Sequence, residues 1–196
     1  MSYLKEFQAA ANRTAKWKLG RYDVSKAASP PDQAILNALE TSSHIPFAER
    51  AGKGMAVNFG MFHMLVKRFG QTGCVITMGS VSLHGIMLVD APPAHFKGML
   101  ADQSGEDKLS TYHLWTTLPG GVILDHVILP ILHRDGVIEV NAAIPSERYV
   151  CAPADALPHG LAYHPAVVGE AFFVASGTID REAMSYLMGD RFPRQY

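Results

Sequence analysis

His113 and Asp125 are the two residues whose types and spacing could do chemistry together. An imidazole held by a carboxylate is the base-and-orienter half of a nucleophilic site, because the carboxylate fixes the tautomer and stabilises the imidazolium that forms. The two residues sit in short runs rich in β-branched and aromatic side chains, Tyr112 to Leu118 and Val122 to Val127, separated by Pro119-Gly120-Gly121. A Gly-containing loop between such runs predicts a β-hairpin. With a three-residue loop that holds a Gly in the left-handed region, Leu118 faces Val122, Thr116 faces Leu124 and Trp115 faces Asp125. His113 and Asp125 then share a face as diagonal neighbours, close enough to hydrogen-bond. A two-residue loop would put them on opposite faces. The rival to a catalytic pair is a structural side-chain bond within a sheet.

Other residues of reactive type have plainer readings. His63 lies within an apolar helical run and reads as a satisfied core histidine. Cys74, flanked by Val75 and Ile76, reads as a buried small hydrophobe, whereas Cys151 lies in a loop-like stretch and reads as the more exposed thiol. Two cysteines so far apart suggest neither a disulfide framework nor a zinc knuckle. His113, Asp125, His126 and His133 cluster in sequence, but adjacent strand residues such as Asp125 and His126 point to opposite faces and do not readily share an ion. No metal and no cofactor is expected.

His-x-Trp on one strand, a turn, and then Gly-x-Ile-Leu-Asp on the next resembles the His/Asp hairpin of transglutaminase-like, papain-type cysteine hydrolases. The resemblance covers about Gly52 to Val127 and implies a helix, two strands and then the hairpin. It also implies thiol-dependent hydrolysis or acyl transfer at an amide or ester carbonyl, with a cysteine at the N-terminal end of the helix, His113 as base, Asp125 as its orienter and Trp115 against the substrate. The matching helix runs from about Met55 to Phe69, and counting back about four turns from Gly70, at about 3.6 residues per turn, reaches Met55 or Ala56. Neither can attack a carbonyl. Ala56 marks the position of the missing nucleophile, either lost by descent or replaced from Cys, and the chain as it stands is expected to be inactive by that route. Asn58 offers an amide near the same helix end to polarise a bound carbonyl; the rival reading is an Asn exposed to solvent. The alternative of a different class is a binding module that holds a peptide or small acyl ligand in the same cleft without reacting.

Further elements must position these residues. Leu4, Phe7, Ala11 and Ala15 recur at helical spacing, and Ser29-Pro30-Pro31-Asp32 reads as a cap followed by proline in the first turn of a second helix with Ile35, Leu36 and Leu39 on its buried stripe. The run from Met55 to Phe69 is apolar around most of its circumference, which predicts a buried helix. Strands follow around Cys74 to Gly79 and Ser82 to Val89. Asp90 to Leu109 reads as irregular and could cover a cleft. After the hairpin, Ile128 to Leu132 and Val137 to Val140 read as short strands about a turn, with Pro130 restricting the first to an edge or to no strand at all. Pro145 to Val167 reads as surface wrapping, Glu170 to Ser176 as a final strand, and Thr178 or Asp180 as the cap of a closing helix near 179–189. Helices to about residue 70 and strands from 73 to 177 predict one α+β domain with a mainly antiparallel sheet.

Composition agrees with a globular chain. It has 196 residues, 48% of them hydrophobic and 18% charged, with a formal net charge of -1. Lys and Arg are scattered, so no basic footprint for nucleic acid or an anionic membrane is expected. Neither a secretory pattern at the start nor an apolar run of about 18 residues is present, and a cytoplasmic protein is expected.

Overall fold

A computed structural model of the chain describes residues 2–24, 31–70, 72–102 and 111–188. In chain order the elements are helices α1 (Tyr3–Lys16), α2 (Gln33–Thr41) and α3 (Gly54–Lys67), strands β1 (Val75–Leu83) and β2 (Ile86–Val89), helix α4 (Pro93–Ala101), and strands β3 (His113–Leu118) and β4 (Val122–Asp125). Helix α5 (Ile128–Arg134), strands β5 (Val150–Pro153) and β6 (Leu161–Val168), and helices α6 (Ala171–Ala175) and α7 (Arg181–Met188) complete the order. Every strand pairing described below is antiparallel, and the fold class is α+β, as expected.

By internal contacts the chain divides into two units. The first comprises Met1–Asp23, Val75–His113 and His159–Tyr196; the second comprises Val24–Cys74 and Leu114–Pro158. The division does not follow the helices-then-strands order of the sequence, since each unit draws on both kinds of element.

In the first unit β1 is the middle strand, paired with β2 on one side and β6 on the other. The chain does not run straight from Ser82 to Val89. It folds back at His84 and Gly85, whose φ values of 49° and 80° are those of a tight two-residue hairpin turn,. Helix α1 docks on β6: the Arg13 guanidinium donates to the Ala166 carbonyl, and the Thr14 hydroxyl accepts from the Val168 amide at 3.2 Å. Its buried stripe is Phe7, Ala10, Ala11 and Thr14, while Leu4, expected inside, is 44% exposed.

The β1–β6 register shifts between Met78 and Gly79, and a Cβ on Gly79 would lie 2.1 Å from the His164 carbonyl oxygen. Only a residue without a side chain admits that approach. Gly79→Ala is therefore expected to cost about 1–3 kcal/mol, read as a lowered urea midpoint with an unchanged slope.

In the second unit β3, β4 and β5 pair in sequence order. Gly120 and Gly121 have φ of 76° and 79°, and the three-residue loop gives Leu118↔Val122 and Thr116↔Leu124. That is the expected register. Leu118, Leu124 and Val127 form a core with Leu36 and Leu39 of α2, Val57, Met61 and Leu65 of α3, and Tyr149. Helix α3 buries Val57, Asn58, Phe59, Met61, Phe62, Leu65 and Val66, the nearly all-round burial its composition predicts.

Several elements differ from expectation. Ile128 to Leu132 is helical because Asp125 Oδ1 accepts from the amides of Val127 and Ile128, and Pro130 falls in the first turn, where its missing N–H breaks no helical bond,. The stretch Val137–Val140 forms no strand. Part of the expected irregular stretch is α4, with Pro93 at its start; 103–110 lie outside the described residues. The expected surface wrap contains β5 and β6, and the expected last strand is α6. A short apolar run such as Ala171-Phe172-Phe173-Val174-Ala175 carries no period that separates helix from strand. Asp32, not Ser29, caps α2 by accepting from the Ile35 amide at 2.8 Å; Ser29 lies outside the described residues. Asp180 caps α7 through the Ala183 amide, as one of its two expected caps.

Candidate functional site

The residues singled out in the sequence are divided between the two units. His113, first residue of β3, is 5% exposed and belongs to the first unit, with its ring 6.1 Å from that of Tyr163. Asp125, Asn58, Trp115 and Ala56 belong to the second.

Asn58 joins three segments of the second unit. Its side-chain amide donates to the Leu114 carbonyl of β3 and, at 2.8 Å, to Asp125 Oδ1 at the end of β4, while its own oxygen accepts from the His126 amide at 2.9 Å. Both donors and the acceptor of one buried side chain are therefore used. Asn58 is neither the solvent-exposed amide nor the carbonyl-polarising group considered from sequence; it fixes α3 to the hairpin. Asp125 Oδ1 takes the Asn58 amide together with the Val127 and Ile128 amides, so this carboxylate oxygen starts α5. Trp115 is 0% exposed and packs in the core, with no surface to offer a substrate.

Ala56 departs furthest from expectation. It lies in the first turn of α3 and is exposed. Two residues along a helix is about 200° around the axis, so Ala56 points away from Asn58 and the Asp125 carboxylate. The first-turn position that faces that neighbourhood is Gly54, where a Cβ would stand 3.7 Å from Val127 Cγ1. Ala56 instead lines a pocket of about 250 Å³ with Ser42, Ser43, His44, Ile45, Val57, Gly60, Met61 and Met64. Val57, Met61, Met64 and Ile45 make its wall apolar, and Ser42, Ser43 and His44 supply its polar groups. Both hydroxyls bond to main-chain carbonyls, Ser42 to Ala38 at 2.6 Å and Ser43 to Ile45 at 3.2 Å.

Beneath α2 lies a charged cluster that the sequence did not announce. Glu40 is 0% exposed at its side chain, and Arg50 clasps its carboxylate with two bonds of 2.8 Å. His126 Nδ1 adds a third at 3.1 Å, and Arg148 stands 3.6 Å away. Burial by itself raises the Glu40 pKa, but the hydrogen bonds and charges of His126 and Arg50 outweigh it and hold the group down at about 2,. The His126 ring packs 5.1 Å from that of Tyr149, and its Nε2 has no hydrogen-bond partner among the described residues. A signal was available in the acidic Glu40 at the end of an otherwise apolar stripe, but its partners come from three other segments.

Both thiols are half-buried. Burial pushes the Cys151 pKa up to about 11, so the residue expected to be the more exposed thiol stays protonated at neutral pH,. His63 is only partly buried; burial lowers its pKa, with Lys67 adding to the effect, and its Nδ1 has no partner among the described residues. Among the described residues no group of three or more His, Cys, Asp or Glu is placed to hold a metal ion, and no helix is long and apolar enough to cross a membrane. Compared with protein-family models, curated proteins and solved structures, the chain matches none.

Proposed function

We propose that the chain is a binding protein on a scaffold for amide or ester chemistry, which holds a small acyl ligand in the pocket beside the first turns of α3 and does not cleave it. One observation carries this reading: Ala56, the position that the family resemblance assigns to a nucleophile, opens onto an apolar pocket that contains no thiol. The wall of Val57, Met61 and Met64 suits a short hydrocarbon tail, and the His44 ring can donate to the carbonyl at its head, the Ser42 and Ser43 protons being already given to backbone carbonyls,. The hydroxyls are held by backbone carbonyls rather than by a base, so neither is activated,. A volume of about 250 Å³ fits an acyl group better than a peptide, which narrows the two ligand types considered from sequence,.

Ala56→Cys turns the pocket into its own reporter. The introduced thiol is expected to react with iodoacetamide as an ordinary exposed cysteine, with an apparent pKa close to the free value of about 8.5. Adding N-methylhexanamide should slow the reaction in a saturable way. A rate far above that of a free thiol, lost on His113→Ala, would return the thiol-hydrolase reading to first place. An ordinary rate that N-methylhexanamide leaves unchanged would remove the acyl-binding one.

A further inference from the structure

The first unit contains a second, separate arrangement of reactive side chains. Ser82 Oγ lies 3.1 Å from His164 Nε2, and His164 Nδ1 lies 3.3 Å from Glu6 Oε2. Each ring nitrogen of one histidine thus has a different partner, a hydroxyl on one side and a carboxylate on the other. That order is the requirement for a base that is oriented from behind and takes a proton in front.

Three elements impose the order. In the β1–β6 pairing His164 faces Ser80 and Ser82 faces Ala162, so Ser82 and His164 are diagonal neighbours on one face of the sheet,. Helix α1 covers that part of β6, anchored by Arg13 and Thr14, and brings Glu6 over the histidine. The bulge at Gly79 sets the register in which the diagonal is met. The pair is open to solvent at the base: the His164 side chain is 38% exposed and that of Glu6 27%, whereas Ser82 is only 4% exposed. Met87, opposite Ser82 on β2, is 50% exposed and gives the hydroxyl an apolar neighbour at the surface.

We propose that Ser82, His164 and Glu6 form a serine-type acyl-transfer site for small, unhindered esters. The hydroxyl oxygen of Ser82 attacks the ester carbonyl carbon while His164 Nε2 takes its proton. The tetrahedral intermediate collapses with cleavage of the bond to the alcohol oxygen, which leaves with the proton from His164, and the acyl group stays on Ser82. Water, deprotonated by the same nitrogen, then attacks the acyl carbon, and the carboxylic acid departs as Ser82 recovers its proton from His164. Glu6 is the positioning residue: it holds the Nδ1 proton and so leaves Nε2 free to accept. The low exposure of Ser82 restricts the acyl part to something close to acetyl, and Met87 favours a short apolar group over a charged one. The site stands independently of the acyl-binding pocket in the second unit.

The test is hydrolysis of p-nitrophenyl acetate by the whole chain, with labelling by a fluorophosphonate followed by peptide mapping. Expected are labelling at Ser82, complete loss of turnover in Ser82→Ala, and a fall of about 10²-fold or more in His164→Asn. Glu6→Gln should lower kcat with KM little changed, since the imidazole loses the partner that orients it, and Glu6→Asp should restore part of the rate,. Circular dichroism on each variant confirms that it is folded. Ser82 and His164 joined only as a structural bond would give no label on Ser82, or a turnover that Ser82→Ala leaves intact, and either result overturns the proposal.

Discussion

Glu40→Gln is expected to be among the most destabilising single substitutions in this chain, lowering the unfolding free energy by about 3–5 kcal/mol. The amide keeps the shape of the carboxylate but not its charge, and Arg50, 2% exposed and clasping Glu40 at 2.8 Å twice, is left as a buried cation. Removing one member of a buried pair costs more than the pair contributes net, because the survivor cannot return to water. Equilibrium urea unfolding of wild type and variant measures the difference. Loss of less than about 1 kcal/mol would mean that the cluster is hydrated, and that its burial does not govern stability.

The same residue sets an acid limit. The folded-state pKa of about 2 lies below the ordinary value of 4.5, so the unfolded chain binds the proton first as pH falls. Stability contributed by ionised Glu40 is then fully present above about pH 4.5 and is lost as pH falls toward 2. At about 1.4 kcal/mol per pKa unit this amounts to about 3 kcal/mol. Wild type should lose that increment between about pH 4.5 and 2, and Glu40→Gln should lack it. A variant with the wild-type acid profile would place the acid sensitivity on other carboxylates.

How much of this was legible in the sequence depends on the range of the interaction. The hairpin was, because Pro119-Gly120-Gly121 fixes its register within three residues, and Leu118↔Val122 follows. Helix α3 was, because its apolar positions surround the axis. Helix α5 was not: Pro130 looked like a strand-breaker, and only the carboxylate of Asp125, placed three residues before Ile128, reveals it as a first-turn proline. The candidate site suffered similarly. Ala56 was located by counting turns, which gives the height along a helix but not the face, and the face differs from that of Asn58 by about 200°. Glu6, Ser82 and His164 lie 76 and 82 positions apart along the chain. Nothing local marks them as neighbours; only the long-range pairing of β1 with β6 and the docking of α1 bring them together.

Asn58→Ala is expected to cost about 2–4 kcal/mol, and its cost should be coupled to that of Asp125→Ala. The substitution leaves the buried His126 amide without its acceptor and the Leu114 carbonyl without the side-chain donor, each worth about 1–3 kcal/mol when unsatisfied,. It also removes one of the three donors on Asp125 Oδ1. Asp125→Ala removes the acceptor of the same bond and in addition leaves the Val127 and Ile128 amides at the start of α5 without their side-chain acceptor, a loss of about 1 kcal/mol on its own,. Because the two side chains share one bond, the double variant should be less destabilised than the sum of the singles by about 0.5–3 kcal/mol. Amide exchange locates the effect: the Ile128 amide should exchange faster in Asp125→Ala, whereas the His126 amide should do so in Asn58→Ala. Strict additivity, with exchange at residues 126 and 128 unchanged in both, would show that α3 and the end of β4 are held by packing of Val57, Met61 and Val127 rather than by the Asn58–Asp125 bond.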